Sequence, residues 1–305
     1  MNESLQQMTE DDLKHRICAL KDRHAYHDLK KFLIGELSAG HVPAQLQVKA
    51  YNELGVAHLQ LDEPAEAEKS FLLAIESDPK AVNPRFNRAN IALFAKKYTT
   101  AFGQYQDLLA LDPDHVGATY HSGLCLALTD RPVEALPYFL KSAKAEPERM
   151  GPNFWSGETL VALERFSEAL PYFTKAAELT PDHRESHRGI AICLFEQGEY
   201  ADCIAQCDML IQSGGGSEYL AFRIKGDALI EMGQIEVAAV CHLELADMDF
   251  DARDYLVMRA KDLAKHHPDA VSRYVEVILD MIPELERAFS GVVPAEDSVA
   301  ASEEK

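Results

Sequence analysis

Small and aromatic residues recur along the chain with a period of 34 residues. The first series consists of small residues: Gly55, Ala89, Gly123, Gly157, Ala191 and, after one step of 35, Gly226. Twelve residues after each of these come Ala67, Ala101, Ala135, Ala169, Cys203 and Ala238. Four residues further on come Phe71, Tyr105, Phe139, Phe173, Cys207 and His242. A period of this length predicts an array of stacked structural units.

The spacing within each period predicts two helices joined by a turn. Residues four apart lie on one helix face, so the later alanine and the aromatic residue share a face of the second helix. Small residues let the two helices approach closely, and the aromatic ring is expected to fill the gap to the next pair of helices. Turn-like stretches separate the helices at residues 62–64, 129–132 and 197–199. Proline then ends the second helix at Pro79, Pro113, Pro147 and Pro181.

This pattern resembles the tetratricopeptide repeat family, whose unit is a 34-residue helix-turn-helix with small, alanine, aromatic and proline positions in this order. The resemblance implies an all-α fold, a right-handed superhelical solenoid of stacked helix-turn-helix repeats with helical caps. Six repeats are expected within residues 44–252, at about 48–81, 82–115, 116–149, 150–183, 184–218 and 219–252. Repeats 5 and 6 depart from the pattern, because Cys203, Cys207 and His242 replace alanine or an aromatic residue and the proline is missing.

The segments on either side of the repeats do not keep the period. Residues 1–43 are expected to form an N-terminal helical cap of two helices, the first of which starts at a capping-box variant of Thr9 and Asp12. Residues 253–289 predict capping helices at the C-terminal end, interrupted at Pro268. Both segments would cover a stacking face that an end repeat otherwise exposes.

Two short segments predict irregular structure. Residues 290–305 have little apolar content and three glutamates, and they predict a disordered acidic tail. Residues 213–217 contain three consecutive glycines where other repeats have a proline-containing turn. This stretch is either a loop with an extra residue or a hinge between the flanking repeats.

Composition and charge narrow the possible partners. Of the 305 residues, 47% are hydrophobic and 26% are charged, and the net charge is -20. A surface this acidic repels phosphates, so nucleic acid is not an expected partner, and neither is an anionic membrane. Without a stretch of about 20 apolar residues or a secretory signal, no membrane insertion is expected and the location is predicted to be cytoplasmic.

Catalytic and metal-binding signatures are missing from the sequence. It contains no nucleotide-binding, hydrolase or metalloprotease motif, so the chain is predicted not to be an enzyme and to need no cofactor or metal. Cys203 and Cys207 could offer two metal ligands, but they stand at packing positions and are expected to be buried core residues. His183 and His187 are expected to lie at a solvated helix start.

The resemblance also implies where a partner would bind. In the tetratricopeptide family the first helices line a concave groove, and the lining positions lie three before, one after and four after the small residue. Carried over to this chain with the neighbouring edge positions, the groove consists of Asn52, Phe86, Asn87, Asn90, Tyr120, His121, Leu124, Phe154, Trp155, Glu158, Arg188 and Arg223. The same three lining positions also include Val56, Leu59, Leu93, Ala127, Val161, Ile192 and Asp227.

Three of these residues would form an aromatic ladder. Phe86, Tyr120 and Phe154 are 34 residues apart, and Arg188 and Arg223 continue the series as charges. Aromatic anchors with polar neighbours are typical of protein-binding surfaces. The ladder either binds a partner or packs between neighbouring first helices.

One variant of the family binds the C-terminal carboxylate of a partner. It uses lysine at the ladder position and asparagine four residues later, followed by further basic residues. Here Asn52 and Val56 stand in repeat 1, and Gly117 and His121 stand where the later bases belong. The free C-termini of heat-shock chaperones are therefore not expected partners.

Two functions are consistent with these features. The first is a protein-interaction module, an adaptor, scaffold or chaperone-like protein that holds an extended or helical apolar segment of a partner across repeats 2 to 4. The arginines of repeats 5 and 6 would then meet an acidic part of this ligand. The alternative is a self-associating oligomeric scaffold without a peptide in the groove. The expected partner is accordingly a protein or peptide, or further copies of the chain.

Overall fold

A computed structural model describes residues 8–214, 218–248 and 252–292 of the chain. All regular structure in these ranges is helical, and consecutive helices pack against one another in pairs. The prediction of an all-α fold built from helix-turn-helix repeats is confirmed. The chain divides into two compact units, Met1–Pro147 and Glu148–Lys305.

The first unit has eight helices among its described residues. They are α1 (Glu10–Asp22), α2 (Tyr26–Ser38), α3 (Ala44–Gln60), α4 (Pro64–Ser77), α5 (Val82–Phe94), α6 (Tyr98–Leu109), α7 (Val116–Ala127) and α8 (Pro132–Ala145). Helices α3 to α8 are the hairpins of repeats 1, 2 and 3. Helices α1 and α2 precede them.

Helix α1 begins at the predicted capping box. The hydroxyl of Thr9 accepts a hydrogen bond from the backbone N–H of Asp12 (3.1 Å), and the Asp12 carboxylate accepts one from the N–H of Thr9 (3.3 Å). The Thr9 hydroxyl also donates to the Asp12 carboxylate, and this bond, together with the one from the Thr9 N–H, holds the pKa of Asp12 below its usual range. Leu13 and Ile17 of α1 are buried in one cluster with Leu46 of α3, so the first two helices cover the start of repeat 1.

The second unit has nine α-helices and one 3-10 turn among its described residues. They are α9 (Met150–Ala162), α10 (Phe166–Leu179), α11 (Arg184–Glu196), α12 (Tyr200–Gln212), α13 (Glu218–Glu231), α14 (Ile235–Met248), α15 (Ala252–His266), α16 (Pro268–Met281), the 3-10 turn (Pro283–Leu285) and α17 (Glu286–Phe289). Helices α9 to α14 are the hairpins of repeats 4, 5 and 6.

The last helices bury apolar side chains against repeat 6. Leu256 of α15 and Tyr274 of α16 belong to one buried cluster with residues of α13 and α14. Val292 packs into this cluster although the sequence assigned it to the disordered tail. Residues 293–305 of the predicted tail and 215–217 of the predicted hinge lie outside the described residues.

The repeated packing positions form the interior of the hairpins. All members of the second and third series are completely buried. The ring of Phe71 lies against Gly55 of its own hairpin. Phe173 touches Gly157 of its own hairpin and also Gly189 of the next repeat, where an added Cβ would come within 2.6 Å of the ring. The prediction that the ring fills the gap to the next hairpin was therefore incomplete, since the ring first fills the space inside its own.

Every first helix of a repeat ends with the same turn. In repeat 1 the N–H of Glu63 donates to the carbonyl of His58 (2.9 Å), and the equivalent bond recurs in the other five repeats. The preceding residue has a positive φ in each case: Asp62, Lys96, Asp130, Glu164, Gly198 and Gly233. This combination is the Schellman ending of a helix, in which one left-handed residue turns the chain. The sequence did not reveal this series, because its side chains have nothing in common.

Candidate functional site

The predicted groove residues all lie on first helices of the repeats and all retain some solvent access. Eleven of the twelve are half-buried and Arg223 is exposed. The further positions Val56, Leu59, Leu93, Ala127, Val161, Ile192 and Asp227 are half-buried as well. The first-helix face therefore has partial access in each unit, and its side chains differ between the units.

In the first unit, Phe86 packs against the following first helix. Its ring stacks on His121 with a centroid distance of 5.4 Å and an interplanar angle of 13°. The ring also lies against Gly117, where an added Cβ would be 3.0 Å from it. These contacts give Phe86 a packing role between α5 and α7, which was one of the two alternatives for the ladder.

A polar cluster lies beside Phe86. The hydroxyl of Tyr105 donates to Oδ1 of Asn90 (2.5 Å), and Nδ1 of His121 lies 3.0 Å from the same oxygen and 3.1 Å from the hydroxyl. Burial raises the pKa of Tyr105, so the phenol stays protonated and keeps its donor role. Sequence reasoning treated Tyr105 only as a packing residue. The available signal was tyrosine in a series that is phenylalanine in repeats 1, 3 and 4.

Repeats 1 and 2 are linked through amides on their first helices. The side-chain amide of Asn87 donates to Oδ1 of Asn52 (3.0 Å). Asn52 also lines a pocket of about 480 Å³ with Glu10, Lys49 and Glu53. Two predicted groove residues are thus brought together here, and they are engaged with each other.

The remaining ladder residues have aromatic neighbours inside their own units. Tyr120 lies edge-on to Phe139, with centroids 6.0 Å apart. Phe154 meets Phe173 at 6.0 Å and the ring of His183 at 4.8 Å. These half-buried rings contribute to packing and keep one part of their surface accessible.

Glu158 and Arg188 face each other on the first helices of repeats 4 and 5. The carboxylate of Glu158 lies 3.7 Å from a guanidinium nitrogen of Arg188. Burial raises the pKa of Glu158, and the nearby Arg188 opposes this shift. The pair is an electrostatic contact at the long end of the range for ion pairs.

A pocket of about 510 Å³ opens on the first-helix face of the second unit, between α11 and α13. Four predicted positions line it: Arg188, Ile192, Arg223 and Asp227. Phe195, Glu196, Leu220 and Ile224 complete the lining. The structure therefore collects the charged end of the predicted groove around one cavity with apolar walls.

Asp227, one of the two acidic residues that line this pocket, is held from the C-terminal helices. Asp227 lies 2.7 Å from Nε of Arg259 and accepts a hydrogen bond from the hydroxyl of Tyr255 (3.1 Å). The guanidinium of Arg223 lies 5.9 Å from the centroid of the Tyr255 ring. Burial raises the pKa of Asp227, while Arg259 opposes the shift.

His242 lies beneath these residues in the interior of repeat 6. Its Nδ1 is 2.8 Å from the hydroxyl of Tyr274, and its Nε2 is 3.3 Å from the carbonyl of Arg223. Burial lowers the pKa of His242 to about 4. A neutral histidine thus fills the position that holds an aromatic ring in other repeats.

The cysteine and histidine pairs discussed for metal binding have structural partners. Cys203 and Cys207 are completely buried, and the Cys203 thiol donates to the carbonyl of Ala191 (3.3 Å). His183 caps α11 by accepting a hydrogen bond from the N–H of Ser186 (3.3 Å). Within residues 8–214, 218–248 and 252–292, no three possible ligands lie together as a metal site would require.

None of the helices in the described ranges combines the length and the apolar character that crossing a bilayer demands.

Comparison with known families identifies the repeats. Models of the tetratricopeptide repeat family match residues 48–80, 86–149 and 160–225. These ranges contain the second-series and third-series residues of repeats 1 to 5 and the small residues of repeats 1, 2, 3 and 5. The chain belongs to the tetratricopeptide repeat family. A search of curated proteins returned no significant match.

Solved structures of tetratricopeptide proteins have similar folds. YrrB, described as having an unusual peptide-binding site, is similar with a TM-score of 0.57 and 25% identity, covering 60% of this chain and 94% of that chain. PilF of Pseudomonas aeruginosa has a TM-score of 0.55 and 21% identity over 70% of this chain and 97% of its own. MamA from Desulfovibrio magneticus RS-1 has a TM-score of 0.51 and 17% identity over 54% and 94%. The last two comparisons concern the fold alone.

Proposed function

We propose that the chain is an adaptor that holds an extended or helical segment of another protein against the first-helix face of its repeats. The observation that carries this proposal is the pocket between α11 and α13, which is lined by four positions of the predicted groove. Concave sites with apolar walls and a few polar groups are the usual binding sites of proteins. The similarity to YrrB, whose structure is described by its peptide-binding site, supports the same function.

The aromatic ladder is part of the proposal. Phe86, Tyr120 and Phe154 keep partial access while packing against their neighbours. A ring that is already held in place loses little conformational entropy on binding, which suits an anchor residue. A partner would then contact the ladder side chains and the polar residues beside them, among them Asn90, Leu124 and Trp155.

Site-specific photo-crosslinking tests the proposal. A photoreactive amino acid replaces Leu220, which lines the pocket, and in a control protein it replaces Val237, which is 53% exposed on α14. The cross-linked proteins are analysed after irradiation in cells. Adducts with another protein are expected from position 220 and are expected to be missing from position 237.

The other outcomes are equally informative. Adducts of the same mass from both positions would show contact without a defined site, and the proposed function would be wrong. Adducts of twice the mass of the chain from position 220 would instead favour the self-associating scaffold.

One observation favours this alternative. In the first unit, Phe94 is 81% exposed and Val133 is 71% exposed, and Leu128 occupies in repeat 3 the position of Phe94 in repeat 2. Phe94 and Leu128 thus stand at equivalent ends of consecutive first helices, and exposed apolar patches are a common feature of association surfaces. Light scattering at several concentrations measures the mass of the particles and distinguishes the two functions. A scaffold assembled through these residues would have a lower mass after Phe94→Ser, whereas an adaptor would be monomeric with and without this substitution.

A cytoplasmic location and the lack of enzymatic activity remain predictions.

A further inference from the structure

We infer that the pocket between α11 and α13 is a polarised site for an acidic and aliphatic segment of a partner protein. A carboxylate of the partner would lie at the arginine end, between Arg188 and Arg223, and an adjacent aliphatic side chain would lie along Ile192 and Ile224. This inference rests on the proposed function and specifies the chemistry of its ligand.

Arg223 is available to an external anion. Its side chain is exposed, and its guanidinium lies 5.9 Å from the centroid of the Tyr255 ring. In the part of the chain that the structure describes, no carboxylate forms an ion pair with it, because Asp227 is paired with Arg259 at 2.7 Å. A guanidinium offers five N–H donors in a planar fork that matches a carboxylate. Arg223 can therefore take a bidentate partner without losing an existing one.

Arg188 contributes a second positive charge. Its contact with Glu158 is 3.7 Å long, beyond hydrogen-bond distance for nitrogen and oxygen. The remaining donors of Arg188 can turn toward the pocket while this contact is kept. Arg188 and Arg223 stand at equivalent positions of consecutive first helices, three residues before Ala191 and Gly226. Both side chains thus project from the same level of the repeat face into one cavity.

The pocket has different charges at its two ends. Arg188 lies in the first half of α11, whereas Glu196 is the last residue of that helix. Eight residues of helix separate them by about 12 Å. Since α12 returns the chain between them, α11 and α13 run in the same direction, so Arg188 and Arg223 lie toward the same end of the pocket. A bound segment would accordingly place its acidic side chain toward this end and a neutral or basic side chain toward Glu196.

The apolar walls strengthen the electrostatic preference. Leu220 and Ile224 flank Arg223 on α13, and Ile192 and Phe195 extend the wall on α11. A carboxylate that enters between such side chains is screened less than on an open surface. The whole chain has a net charge of -20, so an acidic segment would be repelled by most of the remaining surface. The arginine pair therefore determines where, and in which direction, such a segment binds.

Peptide display on the full-length chain tests this inference. Random linear peptides are selected on the wild-type protein and then screened against Arg223→Ala, Arg188→Ala and Arg287→Ala. Arg287 is an exposed arginine on α17, so its variant controls for the loss of one positive charge. Peptides with aspartate or glutamate beside leucine, isoleucine or valine are expected, and their binding should fall about tenfold in each pocket variant and stay unchanged in the control.

The failures of the two proposals can be told apart. Selected peptides that lack acidic residues, or that bind Arg223→Ala as well as wild type, would overturn the acidic-segment inference and leave the proposed function intact. A selection that enriches no peptide on the wild-type chain would count against the proposed function itself. Sedimentation shows whether a second copy of the chain occupies the pocket. In that case the wild-type protein would sediment as an assembly, and Arg223→Ala would sediment with a lower mass.

A chemical substitution in the peptide completes the test. One selected peptide is synthesised with its acidic residue and with the corresponding amide, and both are measured by fluorescence anisotropy. The amide form should bind wild type about tenfold more weakly and should show little further loss with Arg223→Ala. If Arg223→Ala weakened the binding of the acidic peptide and of the amide peptide by the same factor, Arg223 would not contact the carboxylate. Circular dichroism confirms that each variant retains its helices.

Discussion

Repeats 4 and 5 have the same backbone plan with different side chains at two equivalent positions. In repeat 4 the packing position holds Phe173 and the left-handed turn residue is Glu164, whereas repeat 5 has Cys207 and Gly198. Both packing residues are completely buried, and both turns have a positive φ. The comparison shows that burial and backbone conformation are retained while side-chain volume changes.

The small residue of the hairpin does not by itself set the volume of the packing residue. In repeat 4, Gly157 leaves room for the ring of Phe173, with an added Cβ only 2.9 Å from it. In repeat 5 the small position is Ala191, and the packing residue that belongs to it is the much smaller Cys207. Repeat 2 combines Ala89 with the completely buried ring of Tyr105, so alanine at the small position is compatible with either volume. The hairpin is kept in all three repeats, because each packing residue is buried in a close-packed interior.

Repeats 4 and 5 should differ most in the unfolding free energy that is lost when their packing residues are replaced by alanine. Phe173→Ala removes a buried ring that touches both Gly157 and Gly189, and it should cost about 3–5 kcal/mol of unfolding free energy. Cys207→Ala removes one sulfur atom and should cost about 1 kcal/mol. Urea unfolding followed by circular dichroism measures both. Equal losses would show that the two hairpins depend on their packing residue to the same degree.

Repeat 6 extends the comparison to pH. His242 is buried and neutral in the folded chain with a pKa of about 4, below its ordinary value of about 6.5. The unfolded chain therefore binds a proton first as the pH falls, and stability present above about pH 6.5 is lost toward pH 4. Between about pH 7 and pH 5 the expected loss is about 2 kcal/mol.

The matched variant for this prediction is His242→Phe, which introduces the residue found in repeats 1, 3 and 4. Urea unfolding at both pH values should show a smaller pH dependence for the variant by about 2 kcal/mol. The difference between the pH dependences of the two proteins removes most of the contribution of other titrating groups, among them Asp227. An unchanged pH dependence would mean that His242 is protonated in the folded chain.

The smallest effect concerns the turns. Glu164 holds a left-handed conformation that costs an ordinary residue about 1 kcal/mol or more, whereas Gly198 adopts it without strain. Glu164→Gly should raise the unfolding free energy by about 0.5 kcal/mol, since the gain is partly offset by the greater freedom of glycine in the unfolded chain. Gly198→Ala should lower it by about 1 kcal/mol. Thermal unfolding of both variants should give shifts of opposite sign, and shifts of the same sign would contradict this account of the turn.

Much of the fold followed from residue types at fixed spacing. The small, alanine and aromatic series identified six hairpins, and every aromatic and alanine position proved to be interior. The capping box at Thr9 was also readable, because it depends on two residues three apart. Such local and periodic features are encoded in neighbouring side chains, so no long-range information is required to recognise them.

The candidate site could be predicted only in part. The first-helix positions lie on a partly accessible face, their role in binding stays a prediction, and the sequence could not choose between binding and packing for Phe86. That choice depends on the stacking of its ring with His121, 35 residues away. The hydrogen bonds among Asn90, Tyr105 and His121 likewise join side chains from three helices.

The sequence by itself determined the helical hairpins, their number and their interior, because a period of 34 residues repeats the same local chemistry. Only the tertiary structure decided the left-handed turn, which Asp62, Lys96 and Gly233 adopt alike. It also decided that Arg188 and Arg223 line one pocket while Asp227 is held by Arg259. Helix packing sets both results: it imposes a backbone conformation on whichever residue occupies the turn, and it brings together side chains that are far apart in the chain.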